Sequence, residues 1–319
     1  MVKSMNAAIA GLKAHQTRLD VLGNNIANVN TWGYKSRTTN FQDSVYTSLK
    51  NGQSGTDNPT VGTLGGINTS QLGYGAVVSS VSTNFGTSNG QYTGNDLDCQ
   101  ISGPGFFIVG PYNDQTLNTQ IEIQGSDVNG IDLSGGGAYF SRVGIFNPDA
   151  NGYLVDDNGN YVYGYAPVSQ EKDENGNVTM NYTQLVPIRV PLSEDADANG
   201  ELYTVTSWRI GQDGTVVGTT VDKQIITIGQ IAVANVENPN GLNQKTGYYY
   251  EVGNNSGRIV GMPTTEATGL INSGFLEMSN TDLAFDFATM ITTQRGYQAN
   301  TKIITVTDEI LEQLVNMKR

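Results

Sequence analysis

The residues best placed to do chemistry lie in acidic stretches punctuated by glycine. Asp195, Asp197 and Asn199 precede Gly200 with the alternate-residue spacing that opens a calcium-binding loop. Such a loop needs a bidentate glutamate at its twelfth position and a helix on each side. The twelfth position here is Thr206 and the flanks lack helical periodicity, so an acidic turn is the better reading and calcium binding the weaker one. DDNGN (residues 156–160) and DENGN (173–177) are ordinary turn chemistry. Nucleophilic catalysis requires a base beside a serine or cysteine. The single histidine, His15, falls on an N-terminal helical pattern. The single cysteine, Cys99, sits in the alternating run LDCQI and reads as a small buried hydrophobe. One cysteine leaves no intramolecular disulfide and no cysteine-rich zinc site. Nucleotide-binding glycine loops and HExxH are missing from the sequence. No enzyme, metal or cofactor is expected.

The 319 residues carry a formal charge of −13 without any Lys/Arg cluster, which argues against a nucleic-acid partner. The first twenty residues lack the continuous apolar core of a cleaved signal. No run approaches the roughly 18 apolar residues of a membrane span. Neither signal cleavage nor membrane insertion is expected.

Two long helices are expected to position whatever the chain binds. Met5, Ile9, Leu12, Gln16, Leu19, Gly23 and Ile26 follow alternating steps of four and three, with Ala8, His15, Leu22 and Val29 as a flanking row. The last forty residues repeat the pattern through Leu283, Phe287, Met290, Gln294, Tyr297, Thr301, Ile304, Asp308, Leu311 and Val315. Ser279 with Asp282 reads as a capping box, and Lys318 and Arg319 suit the helix C-terminus. Gln16, Gly23, Gln294, Thr301 and Asp308 interrupt these seams, which is a poor fit to a lone two-stranded coiled coil but suits register-setting in an assembly.

Between the helices, short apolar runs alternate with Gly, Asn and Asp. Asn151-Gly152, Asn158-Gly159 and Asp213-Gly214 are hairpin signals. The fold class is α+β, mostly β, with a sandwich or irregular barrel body and terminal helices pairing as a coiled-coil-like inner domain. The expected division is 1–31 with 279–319 for the helices, 32–75 as an extended connecting segment, 76–166 with 204–278 as the β body, and 167–203 as a small polar insertion.

The first helical pattern runs into LGNNIANVNTWGYKS (22–36), where Asn24, Asn25, Asn28 and Asn30 form helices weakly because their amides compete for backbone groups. Gly33 offers the dihedrals for leaving a helix, and Trp32 and Tyr34 offer apolar anchors.

This stretch is similar to the N-terminal signature of the flagellar axial proteins, the rod and hook subunits. ISGPGFFIVG (101–110) resembles the start of their β domain. The segment 279–318 resembles their C-terminal helix, with Gln294, Arg295, Gly296, Gln298 and Asn300 in its QRGYQAN core. DGTVVG (213–218) and IGQIAVANVENPNGL (228–242) are most similar to hook subunits, with distal rod subunits the near alternative. The resemblance implies a structural homopolymer. It further implies export through the flagellar apparatus without a cleaved signal, and a place in the hook outside the cell. Its neighbours would be the distal rod, hook cap and hook-filament junction proteins. The two seams would then be polymerisation surfaces lining the export channel, and the junction asparagines would bond neighbouring chains' backbones. A secreted β-rich calcium- or carbohydrate-binding protein is the alternative from another class.

Overall fold

No proline interrupts either terminal stretch, and both fold as long helices: α1, Val2–Ala27, and α2, Leu283–Asn316. The structure is a computed structural model that describes residues 2–55, 65–111, 120–121, 130–134, 137–172, 178–182, 184–190, 205–264 and 268–317. Helix α1 ends where its asparagines begin to compete for the backbone. The Asn28 amide donates to the Asn24 carbonyl at 2.9 Å and to the Asn24 side-chain oxygen at 2.9 Å. Helix α2 starts one turn later than the expected capping box. Asp282 is its N-cap, and one carboxylate oxygen accepts from the N–H groups of Ala284 at 3.0 Å and Phe285 at 3.1 Å. Ser279 lies outside the helix, and Lys318 and Arg319 lie outside the described residues.

The chain divides into two units, one comprising Met1–Asn28, Ser36–Asn84 and Thr281–Arg319, the other Val29–Lys35 and Phe85–Asn280. The first unit holds both helices and four strands: β1 (Arg37–Asp43), β2 (Tyr46–Lys50), β3 (Ser70–Gly73) and β4 (Ala76–Thr83). Strand β1 pairs antiparallel with β4, and β2 with β3. The sequence suggests only an extended connection here, and places β4 at the start of the body. The pairing is long-range and many of the paired positions are exposed, so the periodicity that would announce it is weak.

The second unit is a curled antiparallel sheet centred on the twelve-residue strand Ile225–Val236. That strand pairs with β7 (Phe106–Gly110), reached through β5 (Gly90–Tyr92) and β6 (Cys99–Ser102), and with Tyr161–Tyr165, Thr215–Thr220 and Ile259–Pro263. FFIVG is apolar throughout because both of its faces are covered. Phe107 and Val109 enter one cluster with Cys99, Phe146 and Ile231, while Phe106 and Ile108 enter another with Phe140, Tyr165 and Ile259. The Asn-Gly and Asp-Gly signals all fall at turns between paired strands. The polar insertion needs correction: Met180, Leu185, Ile188 and Val190 are buried in the body's clusters. Its acidic residues dominate composition and mask the apolar ones between them. Asp195, Asp197 and Asn199 lie outside the described residues.

Candidate assembly interface

Three contacts fix how α1 meets α2. The Asn25 amide bonds the Asp286 carboxylate. A Cβ on Gly296 would lie 2.8 Å from His15 Nε2, and one on Gly11 would lie 2.7 Å from the Asn300 amide nitrogen. Advancing along α1 retreats along α2, so the helices are antiparallel. Small residues let them approach closely, and the hydroxyls carried inward are satisfied within their own helix, Thr293 donating to Thr289 O at 2.7 Å and Thr307 to Ile303 O at 2.7 Å.

The face that packs is not the expected seam. The inward row of α2 is Asp286, Thr293, Asn300 and Thr307, spaced by seven. On α1 it is Ala8, His15 and Leu22, the row beside the seam, together with Asn25. Of the seam positions on α1, only Leu22, which belongs to that flanking row, is fully buried. Met5, Leu12, Leu19 and Ile26 are half-buried and Ile9 is exposed. On α2, Met290 and Ile304 are half-buried, while Leu283, Phe287, Tyr297, Leu311 and Val315 are exposed, Phe287 at 50% and Val315 at 69%. Small and polar residues meet inside the pair and large apolar ones point out, the reverse of a self-sufficient hairpin. Helix α2 is also the longer, 34 residues against 26, so its last two turns run past the start of α1.

Asn24, Asn25 and Asn28 bond within the chain. Asn25 is 2% exposed; its side-chain oxygen accepts from Arg37 N–H at 3.0 Å and its nitrogen donates to Arg37 O at 2.9 Å. It thereby ties α1 to β1 as well as to α2. An external role for Asn25 is thus replaced by an internal one, while Asn24 and Asn30 are exposed. Trp32 and Tyr34 are half-buried. Gly33 has φ 63°, its N–H donates to Glu277 O at 2.8 Å, and a Cβ there would lie 2.7 Å from a Val143 methyl. Both strain and clash reserve this position for glycine. In the C-terminal motif, Gly296 and Asn300 face α1, whereas Gln294 and the bonded pair Arg295 and Gln298 face outward.

Sequence reasoning missed the charges beside this junction. Lys35 is fully buried, with its ammonium 2.8 Å from Glu277 Oε1 and donating to Gly86 O at 2.8 Å. Arg142 Nε lies 3.7 Å from Glu277 Oε2, and its guanidinium stacks over Phe106 at 5.3 Å. Burial, then the Arg142 charge, lowers the Lys35 pKa, while Glu277 pulls it back up. Two cations thus share one carboxylate at the body's chain ends, and 242 positions separate the close pair in sequence.

His15 makes the helix pair sensitive to pH. Burial, then the neighbouring Arg18 charge, holds its pKa below the ordinary value, and its Nδ1 has no hydrogen-bond partner. A lowered folded-state value means that the stability is present above the ordinary histidine pKa and is lost as pH falls through the folded one. Asp286 acts in the opposite sense. Burial raises its pKa, so its contribution is lost as pH rises through that raised value. Helix melting followed by circular dichroism is expected to move to lower temperature between about pH 7 and about pH 5 in the native chain, and to move less in His15→Gln. Parallel curves for the two proteins would remove His15 from the account.

Comparison with known proteins decides the family. Residues 5–35 match a family described as "Flagella basal body rod protein", and residues 272–317 match "Flagellar basal body rod FlgEFG protein C-terminal". The flagellar basal-body rod protein FlgG of Bacillus subtilis (strain 168) is 35% identical over 100% of both chains. The chain belongs to the flagellar rod and hook family. Flagellar hook protein FlgE of Borreliella burgdorferi is 27% identical over 100% of both chains, and that of Escherichia coli K12 is 28% identical over 99% of this chain and 100% of the relative. The two family matches cover most of the two helices and the Asn25, Gly33 and Lys35 junction.

Among the described residues no group of three or more His, Cys, Asp or Glu is placed to hold a metal ion. None of the described helices is long and apolar enough to cross a membrane.

Proposed function

We propose that this rod and hook family member is a structural subunit that polymerises with copies of itself into a helical tube of the flagellar axis, and that the tube is the hook. The observation that carries polymerisation is the outward apolar face of α2, which the chain's own fold leaves in water. Such contacts are heterologous and do not close, which is how a filament propagates. The hook-like runs at 213–218 and 228–242, whose residues 215–218 and 228–236 lie in paired strands, favour the hook, and end-to-end similarity to two hook proteins stands beside that to the rod relative. In this reading the helices line the export channel, and the distal rod, hook cap and hook-filament junction proteins are the axial neighbours. The distal rod is the second reading. The rod relative aligns over 321 residues, close to this chain's own length, whereas the Borreliella hook relative needs 446.

Ile310 is 42% exposed and Leu314 46%, so roughly half of each side chain remains to be buried by a neighbour. Burying that remainder is worth about 1 kcal/mol per residue. Ile310→Gln with Leu314→Gln is therefore expected to raise the critical concentration for polymerisation roughly thirtyfold. Glutamine keeps the helix propensity, so monomer melting should not move. Unchanged assembly would remove this face from the polymer. Electron microscopy of cell-surface preparations then separates the readings: labelled curved tubes outside the cell support the hook, and a short straight periplasmic rod opposes it.

A further inference from the structure

We infer that the overhanging end of α2 from one copy seats in a groove between α1 and β4 of a second copy. The inference rests on the polymer reading and names the contact that would build it. The groove encloses about 440 Å³ and is lined by the apolar Ile9, Ala10, Ala14, Val77 and Val78 together with Asn6, Lys13 and Thr17. Five of its eight lining side chains carry no hydrogen-bonding group, which suits an apolar helix face with a few polar side chains better than a polar small molecule. Lining residues from Asn6 to Thr17 run about 16 Å along α1.

The last turns of α2 carry a matching stripe. Val306, Ile310, Leu314 and Met317 recur at helical spacing, are all exposed, and also span about 16 Å. Charge agrees with shape. Glu309 and Glu312 lie on the same turns as the stripe, Lys13 waits at the groove, and none of the three has an ion-pair partner among the described residues. The chain's own overhang does not serve this groove. Antiparallel pairing places Asn300 against Gly11, so the residues after about 310 run past the first residue of α1. A second copy is the occupant that supplies both the stripe and the carboxylates.

The test uses two full-length chains, one carrying Ala10→Cys and the other Leu314→Cys. The native Cys99 is fully buried and does not compete. Mixed and polymerised under mild oxidation, they are expected to give a disulfide-linked heterodimer, at least tenfold more than at concentrations below assembly. A charge exchange checks the register: Lys13→Glu alone is expected to weaken assembly, and Lys13→Glu with Glu309→Lys and Glu312→Lys to restore it. Tubes that form without the heterodimer, and without rescue, would overturn this contact while leaving the polymer reading intact. Absence of tubes from the unmodified chain would overturn the polymer reading, and this contact with it.

Discussion

Glu277→Ala is expected to destabilise the β body by about 3–5 kcal/mol, the range for removing one partner of a buried ion pair. Glu277 is 1% exposed and lies between the Lys35 ammonium and the Arg142 guanidinium, both also buried. One of its oxygens also accepts the Ser88 N–H at 2.9 Å. Truncation leaves two cations in a dry site with no counter-charge. Arg142 is already poorly served, since none of its three nitrogens has a hydrogen bond among the described residues. The change is therefore larger than an exposed ion pair would give. Urea unfolding of the purified chain reads it directly. Lys35→Ala with Glu277→Ala should cost less than the sum of the single changes, because each single change strands the other charge. A loss for Glu277→Ala below about 1 kcal/mol would mean that water reaches the site and that the triad is not a dry one.

Much of this architecture is legible from local patterns. The α1 and α2 periodicities, the Asn-Gly turns and the doubly buried FFIVG run each record a choice made by neighbouring residues. Rotation of the helices is not local. The apolar heptad positions announce a seam, but the pair packs through Gly11, Gly296, Thr293 and Asn300. On the proposed polymer reading, a subunit keeps its strongest apolar row for another molecule, and that row on α2 is exposed. Periodicity reports that a face will be buried and does not say by whom. Lys35 was hidden for a related reason. A lysine beside a glycine and a tyrosine reads as a solvated turn, and only a glutamate far along the chain makes its burial affordable. Asn25 shows the converse: an amide suspected of reaching outward satisfies three elements of its own unit.

Removing residues 281–319 is expected to abolish polymerisation while leaving the β body folded. The cut falls at the boundary between the two units. The body keeps both of its hydrophobic clusters, the Lys35, Glu277 and Arg142 site, and the bond from Asn280 N–H to Tyr34 O at 3.4 Å. The first unit loses the partner that covers Ala8, Leu22 and His15. Helix α1 alone has 26 residues, two glycines and asparagines in its last turn, which is marginal for an isolated helix in water. Three readouts separate the consequences. Helical signal in the far-ultraviolet circular dichroism should fall, the urea midpoint of the body should correspond to a change within about 0.5 kcal/mol, and electron microscopy should find no tubes. Glu277→Ala should give the complementary pattern, a weakened body with the α2 face intact. If the truncated chain still forms tubes, the terminal helices are not the assembly surface. If its body unfolds, the buried triad is not enough to hold the body's chain ends together, and folding and assembly share a cooperative unit.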